Sequence, residues 1–368
     1  MTARARSRFG VLWLLAALGC SSESLDAGSP DGAGGSGSAE AGLVTCSVSP
    51  DSRTFVELSG PSELEIEGDG SKSLAWDLAL QGRDVFTNGG ISGPGNTSVF
   101  GPLSAPTFLS DTAPEVPLLL KDRAGGALLD WYDYGGEMHQ LFSRYHVYGL
   151  RDGARLFKLQ ILSYYGDVRG APVSALYRIR YAEVLETGVG ETQELAEIDA
   201  TSGGNSSDDR QPSACLDLDS QTVTPLTPVE AAESDAWHVC FRRESIAVNG
   251  GLSGPRGVEA VDLDGDATAT ETEEEIQMRT EDSEQPAFDG TDYEALTAGS
   301  LDWAADGVTT AFARRWLELG SDPAALSDTV WMVVAADGAS KYLMKFESLS
   351  GDLGNDTATL SVRAKSVR

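Results

Sequence analysis

The stretch Trp76-Asp-Leu-Ala-Leu80 is followed by Asp84-Val-Phe-Thr-Asn-Gly-Gly-Ile-Ser-Gly-Pro94. The same arrangement returns later as Trp237-His-Val-Cys-Phe241 and Ser245-Ile-Ala-Val-Asn-Gly-Gly-Leu-Ser-Gly-Pro255. The spacing from the Trp to the Pro is the same in both stretches, and this self-similarity indicates a tandem duplication. A residue kept in both copies is expected to serve the fold, whereas a residue found in one copy marks a place where function has diverged.

The apolar pattern is short and alternating, which favours β-strands. Trp76, Leu78 and Leu80 are expected on one face of a strand. Apolar and basic residues alternate over 177–181, which predicts a sheet with one solvated face. We therefore expect an all-β chain of two tandem, mainly antiparallel, β-sandwich-like domains with minor helix.

Local turn chemistry supports this interpretation. Asn88-Gly-Gly90 and Asn249-Gly-Gly251 supply residues that tolerate positive φ. Asp152-Gly153 and Asp337-Gly338 are expected at hairpin tips. Thr227-Pro-Val-Glu230 has an N-cap residue, a first-turn Pro and a capping-box Glu, so it predicts the start of a short helix.

The ends and composition breaks divide the chain. Arg4, Arg6 and Arg8 precede an apolar stretch too short to remain as a membrane span, which predicts an export signal. The signal closes on Ala17-Leu-Gly-Cys20, so we expect lipidation of Cys20 and an anchor in the outer membrane, on its periplasmic or surface face. An ordinary secretion signal is the alternative. The expected divisions are a signal peptide at 1–19, a flexible tether at 20–43, a first domain at 44–185, a linker at 186–214 and a second domain at 215–368, with an acidic insertion at 262–292.

Charge and cysteine content narrow the function. The formal charge is −30, with 57 acidic residues against 27 basic ones, and this balance argues against binding of nucleic acid. Besides Cys20, the chain has Cys46, Cys215 and Cys240. The pairs Cys46–Cys215 and Cys215–Cys240 are both compatible with an oxidising compartment.

Several stretches of the first domain form a recognisable set. They are Trp76-Asp-Leu-Ala-Leu80, Thr87-Asn-Gly-Gly90, Ser92-Gly-Pro94, Trp131-Tyr-Asp-Tyr134, Val147-Tyr-Gly-Leu-Arg151, Asp152-Gly153, Lys158-Leu-Gln-Ile-Leu-Ser-Tyr-Tyr165 and Tyr177-Arg-Ile-Arg-Tyr181. Through these residues, nearly all of the first domain resembles the HmuY-like family of exported haem-binding lipoproteins. The second domain is similar but more diverged. The resemblance implies an all-β fold, a lipid anchor and haem capture between two axial side chains, with transfer to an outer-membrane receptor.

The haem-ligand candidates lie together in the first domain. His139, His146 and Met138 carry atoms that can bind haem iron, and Trp131, Phe142, Tyr145 and Tyr148 could form an aromatic wall. Counted in register from Trp131 and Trp316, His139 falls on Ala324 and His146 falls on Trp331, so neither His is needed for the fold. No spacing in the sequence matches either His to a ligand position of the family.

Two further clusters could hold a metal. His238 stands where the first copy has Asp77, two residues from Cys240, and a half-exposed strand face is the favoured interpretation. In the acidic insertion, Asp262, Asp264, Asp266 and Glu273 have about the spacing of a calcium loop, but Ala267 stands where such a loop needs Gly. A solvated acidic loop is the alternative there.

The chain shows no nucleophile elbow, phosphate-binding glycine loop or zinc-protease helix. We therefore expect a non-catalytic protein that captures haem through its first domain. The competing interpretation is a surface interaction or structural lipoprotein that has the same fold and binds no haem.

Overall fold

The computed structural model describes residues 21–23, 41–135, 140–203, 210–268, 270–318, 321 and 323–368. The described residues are mostly strands, with several antiparallel sheets and few short helices, as the sequence predicts. Among them, no helix is long and apolar enough to cross a membrane.

The strands in the first half of the chain are β1 (Ser21–Glu23), β2 (Gly42–Val48), β3 (Thr54–Glu57), β4 (Ser62–Leu64), β5 (Leu78–Gln81), β6 (Asp84–Thr87), β7 (Ser98–Ser104), β8 (Arg123–Gly125), β9 (Tyr132–Gly135), β10 (Gln140–Ser143), β11 (Val147–Asp152), β12 (Arg155–Val168) and β13 (Ala171–Leu185). The later strands are β14 (Gly188–Val189), β15 (Gln193–Asp199), β16 (Ser213–Asp217), β17 (Thr222–Leu226), β18 (Val239–Arg242), β19 (Ser245–Val248), β20 (Glu259–Asp262), β21 (Gly307–Thr309), β22 (Thr329–Val334), β23 (Lys341–Ser350) and β24 (Ala358–Val367). The helices are α1 (Pro228–Ala232), α2 (Glu273–Met278), α3 (Glu281–Gly290) and α4 (Tyr293–Leu296).

The sheets combine strands from both halves of the chain. One sheet has the order β1-β2-β24-β23-β22-β7, and its apolar face packs against the sheet β4-β3-β5-β6. A second sandwich packs the sheet β14-β13-β12-β11-β20, with β15 beside β13, against the sheet β17-β16-β18-β19. Each sandwich therefore joins the early strands of one repeat to the late strands of the other.

The predicted boundaries at 44–185 and 215–368 consequently do not coincide with the sheets. β2 pairs with β24 and β11 pairs with β20, so hydrogen bonds cross both boundaries. Equivalent strands of the two repeats have the same apolar alternation. A strand can therefore pair with neighbouring strands of either repeat, and an exchange of strands between repeats costs little free energy. The repeat remains a similarity between two stretches of the amino-acid sequence.

The chain crosses between the sandwiches at β8 and β21, which pair antiparallel with each other. Two buried aspartates fix this crossing. Asp122 accepts the backbone N–H of Thr87 at 2.9 Å and that of Ala311 at 2.9 Å. These two donors come from opposite ends of the chain, so one carboxylate ties both halves together.

Asp306 makes the corresponding bonds on the other side of the crossing. It accepts the backbone N–H of Val248 at 2.9 Å and that of Ala127 at 3.0 Å. Burial raises the pKa of Asp306 to about 6, although these hydrogen bonds oppose the increase. A carboxylate that is costly to ionise therefore lies at the centre of the crossing.

The glycine turns of the repeat are confirmed. Gly90 and Gly251 have φ angles of 64° and 60°, which L-residues with a Cβ rarely adopt. A Cβ at Gly90 would lie 1.8 Å from the backbone oxygen of Asp122. The turn therefore needs Gly for two reasons, the positive φ and the close approach of another backbone segment.

The repeated Asn residues hold these turns to the Trp that precedes each of them. Asn88 donates to the backbone oxygen of Trp76 at 2.7 Å, and Asn249 donates to that of Trp237 at 2.8 Å. Both Asn side chains are buried. They satisfy backbone groups that would otherwise lack a partner, which is a role in the fold.

The predicted hairpin tips and the predicted helix are also confirmed. Gly153 and Gly338 have φ angles of 61° and 73° in the loops between β11 and β12 and between β22 and β23. At α1, Thr227 is the N-cap and forms a capping box with Glu230.

Two details of the predicted strand faces are wrong. Leu78 and Leu80 belong to the first sandwich core, but Trp76 precedes β5 and packs with Ala79 and Phe86 in a separate cluster. The expected solvated face of the second sandwich is also covered, and Arg180 is only 2% exposed.

The cover over Arg180 is residues 263–303, which we call the helical insert and which contains α2, α3 and α4. Phe288 of α3 packs on Val147 and Ala182, and Lys158 donates to the backbone oxygens of Phe288 and Thr291 at 2.5 and 2.9 Å. The expected solvated loop is therefore wrong, because an apolar anchor and a buried Lys hold this acidic segment on the sheet.

Candidate ligand cavity and histidine clusters

The structure describes one of the three predicted haem ligands. Met138 and His139 lie outside the described residues, as does the predicted lipidation residue Cys20. His146 lies directly before β11 and is 3% exposed. Of the three predicted ligands, His146 alone can therefore be placed by its contacts.

Both ring nitrogens of His146 already face carboxylates. Nδ1 lies 2.8 Å from Asp262 Oδ2, and Nε2 lies 2.9 Å from Glu271 Oε1. Burial alone would lower the pKa of His146, but the hydrogen bonds and charges of these two acids outweigh it and raise the pKa. An imidazolium bridging two acids has no lone pair for iron, so His146 does not fit the role of an axial ligand here.

Glu271 is the centre of this cluster. Besides His146, it binds Arg144 and Arg279, each at 2.5 Å. Burial opposes ionisation of Glu271, but the three cationic partners lower its pKa to about 2. Because Glu271 belongs to the helical insert and Arg144 to the segment before β11, the cluster fastens the insert to the second sandwich.

The predicted aromatic wall is mostly core. Trp131 donates its indole N–H to the backbone oxygen of Glu244 at 2.9 Å and packs against Tyr177. Tyr148 is 1% exposed, and burial raises the pKa of its hydroxyl well above the usual range. Phe142, on β10, and Tyr145, in the segment between β10 and β11, are half-buried.

The acidic stretch does not support the predicted calcium site. Asp262 binds His146, and Asp264 Oδ2 accepts the backbone N–H of Val147 at 2.9 Å. Asp266 lies in an exposed turn and Glu273 is the first residue of α2. These carboxylates serve local structure, and they are not among the side chains that the described part of the chain groups closely enough for a metal.

The group of described side chains close enough for a metal is Asp217, Asp219 and His238. Arg155 donates to both oxygens of Asp219 at 2.8 and 2.6 Å, and Arg256 lies 3.6 Å from the same carboxylate. Two guanidinium groups therefore already neutralise these acids, which disfavours a cation at this cluster.

His238 is fully buried, so the expected half-exposed face is wrong. Its Nδ1 accepts the backbone N–H of Leu218 at 3.1 Å, as Asp77 accepts that of Leu58 at 2.8 Å. Burial and the charge of Arg256 lower the pKa of His238. His238 is therefore a neutral acceptor that takes the structural role of Asp77.

Cys240 is bonded to Cys215 on the adjacent strand, and Cys46 is a buried free thiol. The Cys215–Cys240 alternative is therefore the one found. Neither sulfur is available as a partner of His238 in a zinc site.

A further feature, which the sequence did not predict, is a cavity of about 380 Å³ between β8, β19 and α1. Its volume is within the usual range for small-molecule sites. Four large apolar side chains at its mouth are exposed by 46, 49, 62 and 52%. They are Ile91, Leu129, Val229 and Leu252.

The cavity wall offers no good axial ligand for haem. Among the described residues that line it there is no His and no Met, and its Cys240 is in the disulfide. Tyr132 lines the wall, but burial raises the pKa of its hydroxyl and so disfavours the phenolate that would bind iron. The described residues therefore do not fit a coordinated haem, either here or at His146.

No family model matches the chain, and no curated protein matches it. Solved structures similar to it include a putative HmuY-like heme binding protein from Bacteroides vulgatus, at 13% identity and a TM-score of 0.14, covering 43% of this chain and 86% of that chain. Another is the apo HmuY analog of Tannerella forsythia, at 16% identity and a TM-score of 0.14, covering 50% of this chain and 89% of that chain. Both neighbours are HmuY-like proteins. At these identities and TM-scores they assign no ligand to this chain, whose site has to be argued from its own residues.

Proposed function

We propose that this is an exported, non-catalytic binding protein that captures a compact apolar molecule in the cavity between β8, β19 and α1. The observation that carries the proposal is the set of exposed apolar side chains around the mouth of that cavity. Soluble proteins rarely gather such side chains around a cavity unless something binds there. An anchor through Cys20 in the cell envelope, with delivery to an outer-membrane receptor, belongs to the same proposal.

The floor of the cavity suits an apolar ligand. Trp237 and Ala231 are 1% and 5% exposed and line it, and the α1 capping box fixes the helix that carries Ala231. Transfer of apolar surface from water gains about 25 cal/mol per Å². A ligand that covers both the floor and the exposed rim therefore binds without any covalent or metal contact.

The experiment is a fluorescence titration of the purified full chain with neutral N-phenyl-1-naphthylamine. We expect saturable binding with one site per chain. Leu129→Ser is expected to weaken binding several-fold, since a partly buried Leu contributes about 1 kcal/mol. Leu109→Ser is the matched control, because Leu109 is 83% exposed and does not line the cavity. Absence of saturation, or equal loss in both variants, would falsify the proposal.

Haem, the ligand that the resemblance implies, is tested in the same assay. We expect haemin to compete with the naphthylamine if it enters the cavity, and its absorption spectrum to be unchanged by His146→Asn. A coordinated spectrum that is lost on His146→Asn would contradict the cavity proposal and restore His146 as a ligand. Loss with His139→Ala instead would identify His139 as a haem ligand and would also count against the cavity.

A further inference from the structure

The cavity has a polar end where β8 and β21 pair. Arg123 and Thr309 are directly opposite each other in this pair and both line the cavity. Residues directly opposite in an antiparallel pair have Cβ atoms about 5 Å apart. The guanidinium and the hydroxyl can therefore approach the same small group of a ligand.

Arg123 is half-buried and, within the described part of the chain, its guanidinium has neither an ion pair nor a hydrogen bond. The nearby acid Asp122 is already satisfied by the backbone N–H groups of Thr87 and Ala311. A guanidinium without a carboxylate partner can form charge-assisted hydrogen bonds to an anionic ligand group.

Hydroxyl groups at the cavity wall also lack a partner among the described residues. Thr309 Oγ1 and Ser245 Oγ are shielded from water and make no hydrogen bond there. Unsatisfied buried hydroxyls are uncommon because each loses its hydrogen bonds to water. Rotation of either side chain towards the cavity would let a ligand oxygen satisfy it. Tyr132, which keeps its proton, is a further donor in the wall.

We propose that the ligand is an amphiphile with one carboxylate, whose head group binds Arg123 and Thr309 while its apolar part covers the cavity floor and rim. This inference rests on the proposed function, because it needs the cavity to be a binding site. The wall also contains the charged residues Glu233, Glu244 and Arg242. Arg242 already has an interaction partner, so the described wall has no second unpaired cation. One guanidinium predicts one acidic head, and the apolar mouth predicts that the rest of the molecule carries no charge.

The test compares two molecules with the same chain and different heads. Decanoate and decan-1-ol are used to displace N-phenyl-1-naphthylamine from the full chain. We expect decanoate to displace it at about tenfold lower concentration than decan-1-ol, since one charge-assisted hydrogen bond is of the order that gives a tenfold change.

Arg123→Gln is expected to abolish this difference and to leave the affinities for decan-1-ol and the naphthylamine unchanged. Thr309→Val, which keeps the shape of the side chain, is expected to weaken decanoate alone. Lys121→Gln is the control, because it removes the same charge two residues away and Lys121 does not line the cavity.

The two proposals fail differently. If the naphthylamine does not bind, both are overturned. If it binds but decanoate and decan-1-ol displace it equally, or if Arg123→Gln weakens both equally, the anionic head is overturned while the apolar cavity stands.

Discussion

The crossing between the two sandwiches makes a sharp prediction about pH. Asp306 is 2% exposed and binds backbone N–H groups from both repeats. Asp306→Asn keeps the size of the side chain, but it leaves one oxygen for two donors. We expect a constant loss of about 1–3 kcal/mol from that mismatch, because one backbone donor then faces an amide N–H.

The second part of the effect depends on pH. The carboxyl has a pKa of about 6 in the folded chain against 3.8 for the ordinary group. Between pH 3.8 and about pH 6, the folded chain keeps a proton on Asp306 that the unfolded chain has lost. The free energy of unfolding therefore falls as pH rises. One pKa unit corresponds to about 1.4 kcal/mol. Asp306 therefore contributes about 3 kcal/mol below pH 3.8, which is lost as pH passes 6.

The measurement is urea unfolding of the wild type and of Asp306→Asn at several pH values from 3.5 to 7.5. The difference in unfolding free energy between the two is expected to shrink by about 3 kcal/mol over this range. The difference in unfolding free energy between the wild type and Asp122→Asn should also shrink as pH rises, since burial raises the pKa of Asp122 as well. A difference that does not change with pH, or that grows as pH rises, would refute the reasoning.

Three other expectations follow from buried groups. Phe288→Ala should lower the free energy of unfolding by about 3–5 kcal/mol, whereas Leu109→Ala, at an exposed position, should change it by about 0.5 kcal/mol or less in urea unfolding. Replacing both Cys215 and Cys240 by Ala should cost about 3 kcal/mol in the same assay, because their bond closes a loop with a sequence separation of 25. In an NMR titration, His146 should show a pKa above 6.5 and His238 a pKa below it. Stability from the His146 cluster is then complete below pH 6.5 and lost as pH rises through the folded pKa, and the reverse order of the two pKa values would contradict both assignments.

Turn chemistry was predictable from the sequence because it depends on a few adjacent residues. Gly90 must have positive φ whichever strands lie beside it, and the Thr227–Glu230 capping box is complete within four residues. The antiparallel β class was predictable for a similar reason, since alternation records which residues face a core.

Strand partners were not predictable, because they depend on contacts between distant parts of the chain. The apolar alternation of β11 and of β22 is compatible with neighbouring strands from either repeat. Nothing in the sequence favours the strand that is nearer along the chain. Only the bonds at the crossing, such as those of Asp122 to Thr87 and Ala311, distinguish the two arrangements.

The helical insert was missed for a different reason. Thr272 and Glu275 form a capping box at α2, and Thr280 and Ser283 form another at α3. These signals are local and readable, but the acidic composition around them suggested a solvated loop. Phe288 decides the outcome, because its burial against the second sandwich is a tertiary contact that composition does not reveal.

The two described histidines show why residue type alone did not locate the site. His146 and His238 are both buried, yet one bridges two carboxylates as a cation and the other accepts a backbone N–H as a neutral ring. Metal-ligand chemistry is available to a free imidazole, whereas both nitrogens of His146 and Nδ1 of His238 already have partners. The proposed ligand site is therefore marked by unpaired groups rather than by histidines, and the sequence does not distinguish unpaired groups from paired ones.

Those unpaired groups lie at the crossing, and the exchange of strands explains why. The cavity uses Ile91 from the first repeated turn, Leu252 from the second, and the Arg123–Thr309 pair that joins β8 to β21. Two repeats that folded separately would not bring these four residues together. Arg123 can remain unpaired at this place because a residue that differs in one repeat packs against residues of the other repeat. The pairing of early strands with late strands thus places an asymmetric pocket between the two sandwiches, and ligand capture at this pocket is the function that we propose.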